Sequence, residues 1–237
     1  MAVKPQLACF ERLGAAGWAA LEATCDAARG AGLLVIADGK RGDIPVTAAA
    51  YAQALLGSTP TPFGDVDGLG ADAVTVNPLL GEDALAPLLD AARATGAGLF
   101  VLVRTSNPGA TDVQDVETAG GGPLWERLAR IVDRLAPPGA ELSDVGAVTG
   151  ATVPEHLVRL RELMPRAPFL LPGVGAQGGR VEDLAPAFVP GPGGGLVTAA
   201  RSIARAGEAT GSEPGPAARA EAERLREAAR HAAVSGH

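Results

Sequence analysis

Lysine is almost missing from this sequence. Of 20 basic residues in 237, 18 are arginines and only Lys4 and Lys40 are lysines. Cysteine is nearly absent too: Cys9 and Cys25 form neither a disulfide framework nor a ligand cluster. The three histidines, His156, His231 and His237, do not converge in sequence, so no metal site is expected. Positive charge is in deficit, 20 Lys and Arg against 27 Asp and Glu for a formal net charge of −7, which gives no footing to a nucleic-acid-binding surface. No apolar run approaches the roughly 18 residues of a membrane span, and no basic-then-apolar leader is visible. The expectation is a cytoplasmic globular chain with no membrane contact.

The lysine shortage is informative because Arg can replace Lys on a solvated face but cannot deliver a proton, its pKa being above about 12. What surrounds Lys4 and Lys40 therefore matters.

What is present is a repeat of short apolar runs and amphipathic stretches. The runs are Ala2-Val3, Leu33-Leu34-Val35-Ile36-Ala37, Ala73-Val74-Thr75-Val76, Leu99-Phe100-Val101-Leu102-Val103, Val145-Gly146-Ala147-Val148, Phe169-Leu170-Leu171 and Gly195-Leu196-Val197-Thr198. They are aliphatic and β-branched without polar alternation, as in strands covered on both faces. Helical stretches are expected near residues 15–30, 45–56, 82–95, 123–135, 154–163, 181–188 and 216–233. Seven strand–helix repeats point to a parallel α/β sheet, open and doubly wound or a (β/α)8 barrel lacking a unit. Residues 57–70 and 108–122 read as long connections. Residues 207–216 read as a linker into a terminal helix, so that 207–237 closes a single domain spanning 1–237.

Polar residues follow the strands: Lys4; Asp38 and Lys40; Asn77; Ser106; Thr149 and Thr152; the segment Gly173 to Arg180; and Arg201. In parallel α/β folds the carboxyl ends of strands assemble active sites. Asp38-Gly39-Lys40-Arg41-Gly42-Asp43 is the densest group. Asp38 and Lys40, two apart on an extended strand end, project to one side. Gly39 and Gly42 are expected to let the chain turn tightly, with Asp43 near the start of the helix at Pro45. A plain solvated turn, with Asp43 capping that helix and Asp38 pairing Lys40, accounts for the same residues. Pro172-Gly173-Val174-Gly175-Ala176-Gln177-Gly178-Gly179-Arg180 opens a further helix and suits a phosphate cradle, with Arg201 after the next strand as a second anion donor.

Together, Val3-Lys4-Pro5-Gln6, Ala37-Asp38-Gly39-Lys40-Arg41-Gly42-Asp43-Ile44, Gly150-Ala151-Thr152-Val153-Pro154, Pro172 to Gly179 and Arg201-Ser202-Ile203 resemble the orotidine 5′-phosphate decarboxylase family, in the form of its longer bacterial subclass. The similarity runs in order from residue 1 to about 205. It implies a (β/α)8 TIM barrel, usually a homodimer, that converts orotidine 5′-monophosphate to UMP in pyrimidine biosynthesis without metal or organic cofactor. It implies a Lys-Asp-Lys-Asp charge array of Lys4, Asp38, Lys40 and Asp43, with Asp43, Ile44 and Thr47 acting across the dimer interface. Ser106 then matches the pyrimidine-contacting serine, Gln177 with Gly178 the phosphate loop, Arg201 the phosphate arginine, and Asn77 and Thr152 rim contacts.

Loss of CO2 leaves charge on a carbon that the ring delocalises poorly, so fixed electrostatics must meet it. A lysine ammonium does this and can also protonate the carbon. Family members carry a strand with a ribose-binding Asp and then a helix ahead of the Lys-Pro-Gln strand. Here Met1 stands three residues before Lys4, so a βα unit of roughly 40 residues is expected to precede it. Two other readings share part of the pattern: a magnesium-dependent sugar-phosphate aldolase or decarboxylase of the same superfamily, and a non-catalytic nucleotide-binding remnant.

Overall fold

The computed structural model describes residues 1–175 and 177–235; Ala176 of the glycine-rich segment, Gly236 and His237 lie outside the described residues. The chain divides into two compact units, Met1–Leu102 and Val103–His237.

The first unit contains β1 (Ala2–Val3), α1 (Leu7–Glu11), α2 (Gly14–Gly30), β2 (Leu34–Arg41), α3 (Pro45–Leu55), the short antiparallel pair β3 (Ser58–Thr59) and β4 (Val66–Asp67), β5 (Ala73–Val76), α4 (Glu82–Thr95) and most of β6 (Gly98–Arg104). Strands β1, β2, β5 and β6 pair in parallel in that order, with Val3 beside Val35, Ala37 beside Val74, and Val74 beside Leu99. Their aliphatic side chains fill the core together with Leu7, Leu21, Leu85 and Leu88, all with essentially no exposure. Helix α4 shows why the periodicity was readable. Ala84, Leu85, Leu88, Leu89 and Ala92 fall on one buried stripe, Glu82 and Asp83 favour the positive end of the dipole, and left-handed Gly96 ends the helix.

The second unit contains α5 (Leu124–Leu135), β7 (Val145–Thr149), α6 (Glu155–Leu163), β8 (Phe169–Leu171), β9 (Gly195–Val197), α7 (Arg201–Ala204), α8 (Ala206–Thr210) and α9 (Pro214–Ser235). Ala147 pairs with Phe169 and Leu170 with Leu196, again in parallel. Each of the seven apolar runs is thus a strand in a parallel pairing, and the strand–helix repeat is that of a (β/α)8 barrel with seven parallel strands among the described residues.

The structure corrects several local expectations. Residues 39 and 42 make no tight turn: β2 runs on through Arg41. Its left-handed residue is Lys40, with φ +49°, not a glycine. The two glycines are required by crowding instead. A Cβ on Gly39 would lie 2.7 Å from Leu7 Cδ1, and one on Gly42 would lie 2.7 Å from the Asn77 carbonyl oxygen. The connection 57–70 contains the β3–β4 pair, and 207–216 is not a linker, since α8 and the start of α9 occupy much of it. The helix that follows the glycine-rich segment is a 3-10 helix, Val181–Phe188.

A buried arginine ties several segments of the second unit to one another. Arg161 is 7% exposed, and its guanidinium donates to the carbonyls of Met164 (2.9 Å), Pro165 (3.4 Å), Ala167 (2.9 Å), Ala187 (2.6 Å) and Gly194 (3.1 Å). It also lies 3.8 Å from the centre of the Phe169 ring. Burial pulls its pKa down to about 10, far enough above neutrality that it stays charged. Five acceptors spread over separate segments suit a forked guanidinium and not a single ammonium. Arg161→Lys is therefore expected to lower unfolding free energy by about 2–4 kcal/mol. The check is a reduced urea midpoint with an unchanged denaturant slope.

Candidate active site

Asp38 sits in the first unit at the point where three strands deliver polar groups to one place. Its backbone N–H donates to the Pro5 carbonyl (3.0 Å), and Gln6 bridges to it in parallel register, which carries the end of β1 up to the end of β2. Its side chain is 5% exposed. The Lys4 ammonium donates to Oδ2, which also receives Gln6 Nε2 at 3.3 Å. Oδ1 receives the Lys40 ammonium at 2.6 Å and the Thr75 hydroxyl at 2.9 Å. Two cations and two neutral donors thus occupy the two oxygens, the arrangement a buried carboxylate needs to remain ionised.

Burial pushes the Asp38 carboxyl up, but the Lys4 charge and the hydrogen bonds from Lys4 and Lys40 outweigh it. The group is held below the ordinary carboxylate range. With two ammoniums and one carboxylate, the cluster carries a surplus positive charge. The Lys40 side chain is 41% exposed and the Lys4 side chain 23%, so Lys40 is the cation with the greater access to solvent.

The backbone is unusual here. Ala37 pairs with Val74 and Arg41 with Val76, so Asp38, Gly39 and Lys40 together stand opposite the single residue Thr75. The Lys40 N–H donates to the Thr75 hydroxyl at 2.9 Å. A non-glycine residue in the left-handed region costs about 1–3 kcal/mol, and such strain concentrates at functional sites. The neighbouring Arg41 is turned elsewhere: it pairs with Glu11 of α1, donates to the Gly39 carbonyl (3.2 Å) and lies 5.5 Å from the centre of the Tyr51 ring.

The remaining first-unit residues lie close in sequence but make other bonds. Asp43 Oδ1 accepts from the Ile44 N–H at 2.8 Å, and among the described residues Asp43 joins neither lysine. It does not cap α3, whose N-cap is Ile44 without a side-chain hydrogen bond. Thr47 is half-buried on the first turn of α3 and Ile44 is 59% exposed. Asn77 receives the Leu79 N–H at 3.0 Å, and its own N–H donates to the Arg41 carbonyl at 2.7 Å.

The second unit gathers its own group. Ser106 Oγ donates to Gln177 Oε1 at 3.0 Å, and the Thr152 hydroxyl donates to the Ser106 carbonyl at 3.1 Å. Gly173, at φ +111°, lies beneath all three; a Cβ there would come within 3.0 Å of Thr152 and 3.2 Å of both Ser106 and Gln177. In the glycine-rich segment the N–H groups of Gly175, Gly178 and Gly179 donate to the segment's own carbonyls, which makes it a closed turn. Gly178, at φ +94°, and Arg201, the first residue of α7, are exposed and make no side-chain bond among the described residues.

Thr75 and Gln6 are the donors that sequence reasoning missed. Thr75 is the one polar residue in a wholly buried strand, which was the available signal. Gln6 closes the Val3-Lys4-Pro5-Gln6 motif, but nothing in that motif marks it as a donor to Asp38.

Comparison with known proteins gives a consistent result. The profile of the family described as "Orotidine 5'-phosphate decarboxylase / HUMPS family" matches residues 1–212. The chain is 48% identical over 202 residues to an orotidine 5′-phosphate decarboxylase of Deinococcus radiodurans, covering 85% of this chain and 70% of that protein. It is 45% identical over 204 residues to the protein of that name from Rhodopirellula baltica, covering 85% and 66%. A Streptomyces avermitilis protein solved as a candidate orotidine 5′-phosphate decarboxylase superposes with a TM-score of 0.83 at 38% identity, covering 98% of this chain and 76% of that one.

A carboxyl held low in the folded chain and released to its ordinary value on unfolding stabilises the fold above about pH 4, and that stabilisation disappears as the pH falls through the lower folded value. Asp38→Asn is accordingly expected to lower the urea midpoint at pH 7, with a deficit that shrinks progressively as the pH falls below the ordinary carboxylate range. A deficit that stays the same size throughout this acid range would show that ionised Asp38 contributes nothing.

Proposed function

The chain belongs to the orotidine 5′-phosphate decarboxylase family, and from that premise we propose that it removes CO2 from orotidine 5′-monophosphate to give UMP in pyrimidine biosynthesis, with Lys40 as the proton donor. The observation that carries this reading is the Asp38 carboxylate fixed between the Lys4 and Lys40 ammoniums. The C6–carboxylate bond breaks, its electron pair stays on C6, CO2 leaves, and C6 takes a proton from the Lys40 ammonium. A cation already in place needs no reorganisation as charge develops on carbon. Asp38, beside the departing carboxylate, would be relieved of like-charge repulsion as CO2 leaves. Lys4 keeps Asp38 ionised and in position. The Ser106–Gln177 pair supports assignment of Ser106 to the pyrimidine and Gln177 to the phosphate. Gly178 and Arg201 would add phosphate contacts, and Asn77 and Thr152 rim contacts. Phosphate binding remote from C6 converts to rate when it orders the site.

The working form on this reading is a cytoplasmic homodimer in which Asp43, with Ile44 and Thr47, completes the partner's site. Two observations support it. Asp43 is bonded only to its neighbour's N–H among the described residues. Beside it, Ile44 (59%), Val46 (82%), Leu79 (62%) and Leu80 (55%) expose an apolar surface, brought together where Gly42 abuts Asn77.

Lys40→Arg keeps the charge and removes the transferable proton, and is expected to cut kcat by about 10²–10⁴-fold, the range of general acid catalysis. Release of labelled CO2 measures it, and turnover in excess chelator should equal that without. A variant with undiminished kcat would overturn the role of Lys40. The dimer is tested by mixing two inactive chains, Lys40→Ala and Asp43→Asn, under conditions that exchange subunits. If Asp43 acts across a two-fold interface, half the dimers are mixed and each holds one intact site, so about a quarter of wild-type activity returns. If Asp43 acts within its own chain, none returns.

A further inference from the structure

We propose that Thr75, on the decarboxylase reading above, is a positioning residue: its single hydroxyl fixes both the left-handed backbone of Lys40 and the Asp38 oxygen that Lys40 pairs with. The Asp38 N–H is bonded to the Pro5 carbonyl, but Asp38-Gly39-Lys40 of β2 are folded opposite Thr75 alone, so the backbone of β5 cannot supply all the remaining partners. The Thr75 hydroxyl does so in both directions. It accepts the Lys40 N–H at 2.9 Å and donates to Asp38 Oδ1 at 2.9 Å, the oxygen that also holds the Lys40 ammonium at 2.6 Å.

A hydroxyl has one proton and two lone pairs, so it can serve both bonds at once, whereas a methyl at that place serves neither. Thr75 is 1% exposed in an otherwise aliphatic strand, so water cannot take over its bonds. Lys40, at φ +49°, is a conformation that L side chains rarely adopt and that the surroundings must hold. Without the hydroxyl, the strand would relax toward ordinary pairing and carry the Lys40 ammonium off its mark. The two groups tied by Thr75 act at the reacting carbon and not on the phosphate. The consequence should therefore fall on kcat and spare KM.

The test compares Thr75→Val, nearly isosteric but without the hydroxyl, with Thr75→Ser, which keeps it. Thr75→Val is expected to lower kcat by about 10–100-fold, the scale of a misplacement near 1 Å, while KM stays within about 3-fold. Thr75→Ser should remain within about 3-fold of the unaltered chain in kcat. Amide hydrogen exchange at Lys40, read by NMR without substrate, should accelerate in Thr75→Val and not in Thr75→Ser. If Val at this position prevents folding, Thr75→Cys, similar in size with only a weak S–H donor, carries the same expectations.

Undiminished kcat in Thr75→Val overturns the proposal. So does an equal loss in Thr75→Val and Thr75→Ser, which would assign the effect to packing, and so does unchanged exchange at Lys40. An unaltered chain that fails to decarboxylate orotidine 5′-monophosphate while Lys40 exchange still responds to Thr75→Val would instead overturn the decarboxylase reading.

Discussion

The structure of the first unit turns on one buried carboxylate. Asp38 lies out of contact with water, where an isolated negative charge would neutralise by taking up a proton. It stays ionised because its two oxygens meet two ammoniums, an amide and a hydroxyl, drawn from three different strand ends. Among the described residues this carboxylate pairs with both lysines, whose ammoniums would otherwise repel. The shortage of lysine in the sequence is therefore matched by a place where both lysines converge on one partner, while the abundant arginines serve elsewhere.

Holding that carboxylate shapes the backbone around it. Strand β2 departs from regular pairing between Ala37 and Arg41, Lys40 takes a left-handed conformation, Gly42 is pressed against the Asn77 backbone, and a side chain on Gly39 would force Leu7 to shift. These are local violations of good strand geometry, and they surround the Asp38 carboxylate. Arg41, one residue on, points to Glu11 and Tyr51 and braces the strand against α1 and α3 without adding its charge to the cluster. In the second unit the corresponding task of fixing loops falls to Arg161, whose buried guanidinium binds carbonyls and faces no carboxylate among the described residues. A cation solvated by peptide dipoles can be rigid where a paired one would need a further charge to be buried.

What could be read in advance followed from periodicity and from residue type. Apolar runs covered on both faces are visible as continuous aliphatic stretches, so the seven parallel strands were legible, as was the amphipathic stripe of α4. The β3–β4 pair and α1 were not, because two- and five-residue elements carry too little pattern to stand out. The glycines of the Asp38 segment were misread, since a glycine needed for a positive φ and one needed for close approach look identical in sequence.

The order of residues alone determined which chemistry was available: two lysines, each after a strand, one with an aspartate two residues before it, and a set of motifs whose spacing matched one family. Only the tertiary structure decided that Thr75 and Gln6 complete the Asp38 shell, that Lys40 is the strained residue, that Asp43 stands apart from the lysines within its own chain, and that Ser106, Thr152 and Gln177 meet over Gly173. The reason is distance along the chain. Lys4 and Asp38 are 34 residues apart, Asp38 and Thr75 are 37, and Ser106 and Gln177 are 71, so no local pattern links them until parallel pairing sets their strand ends side by side.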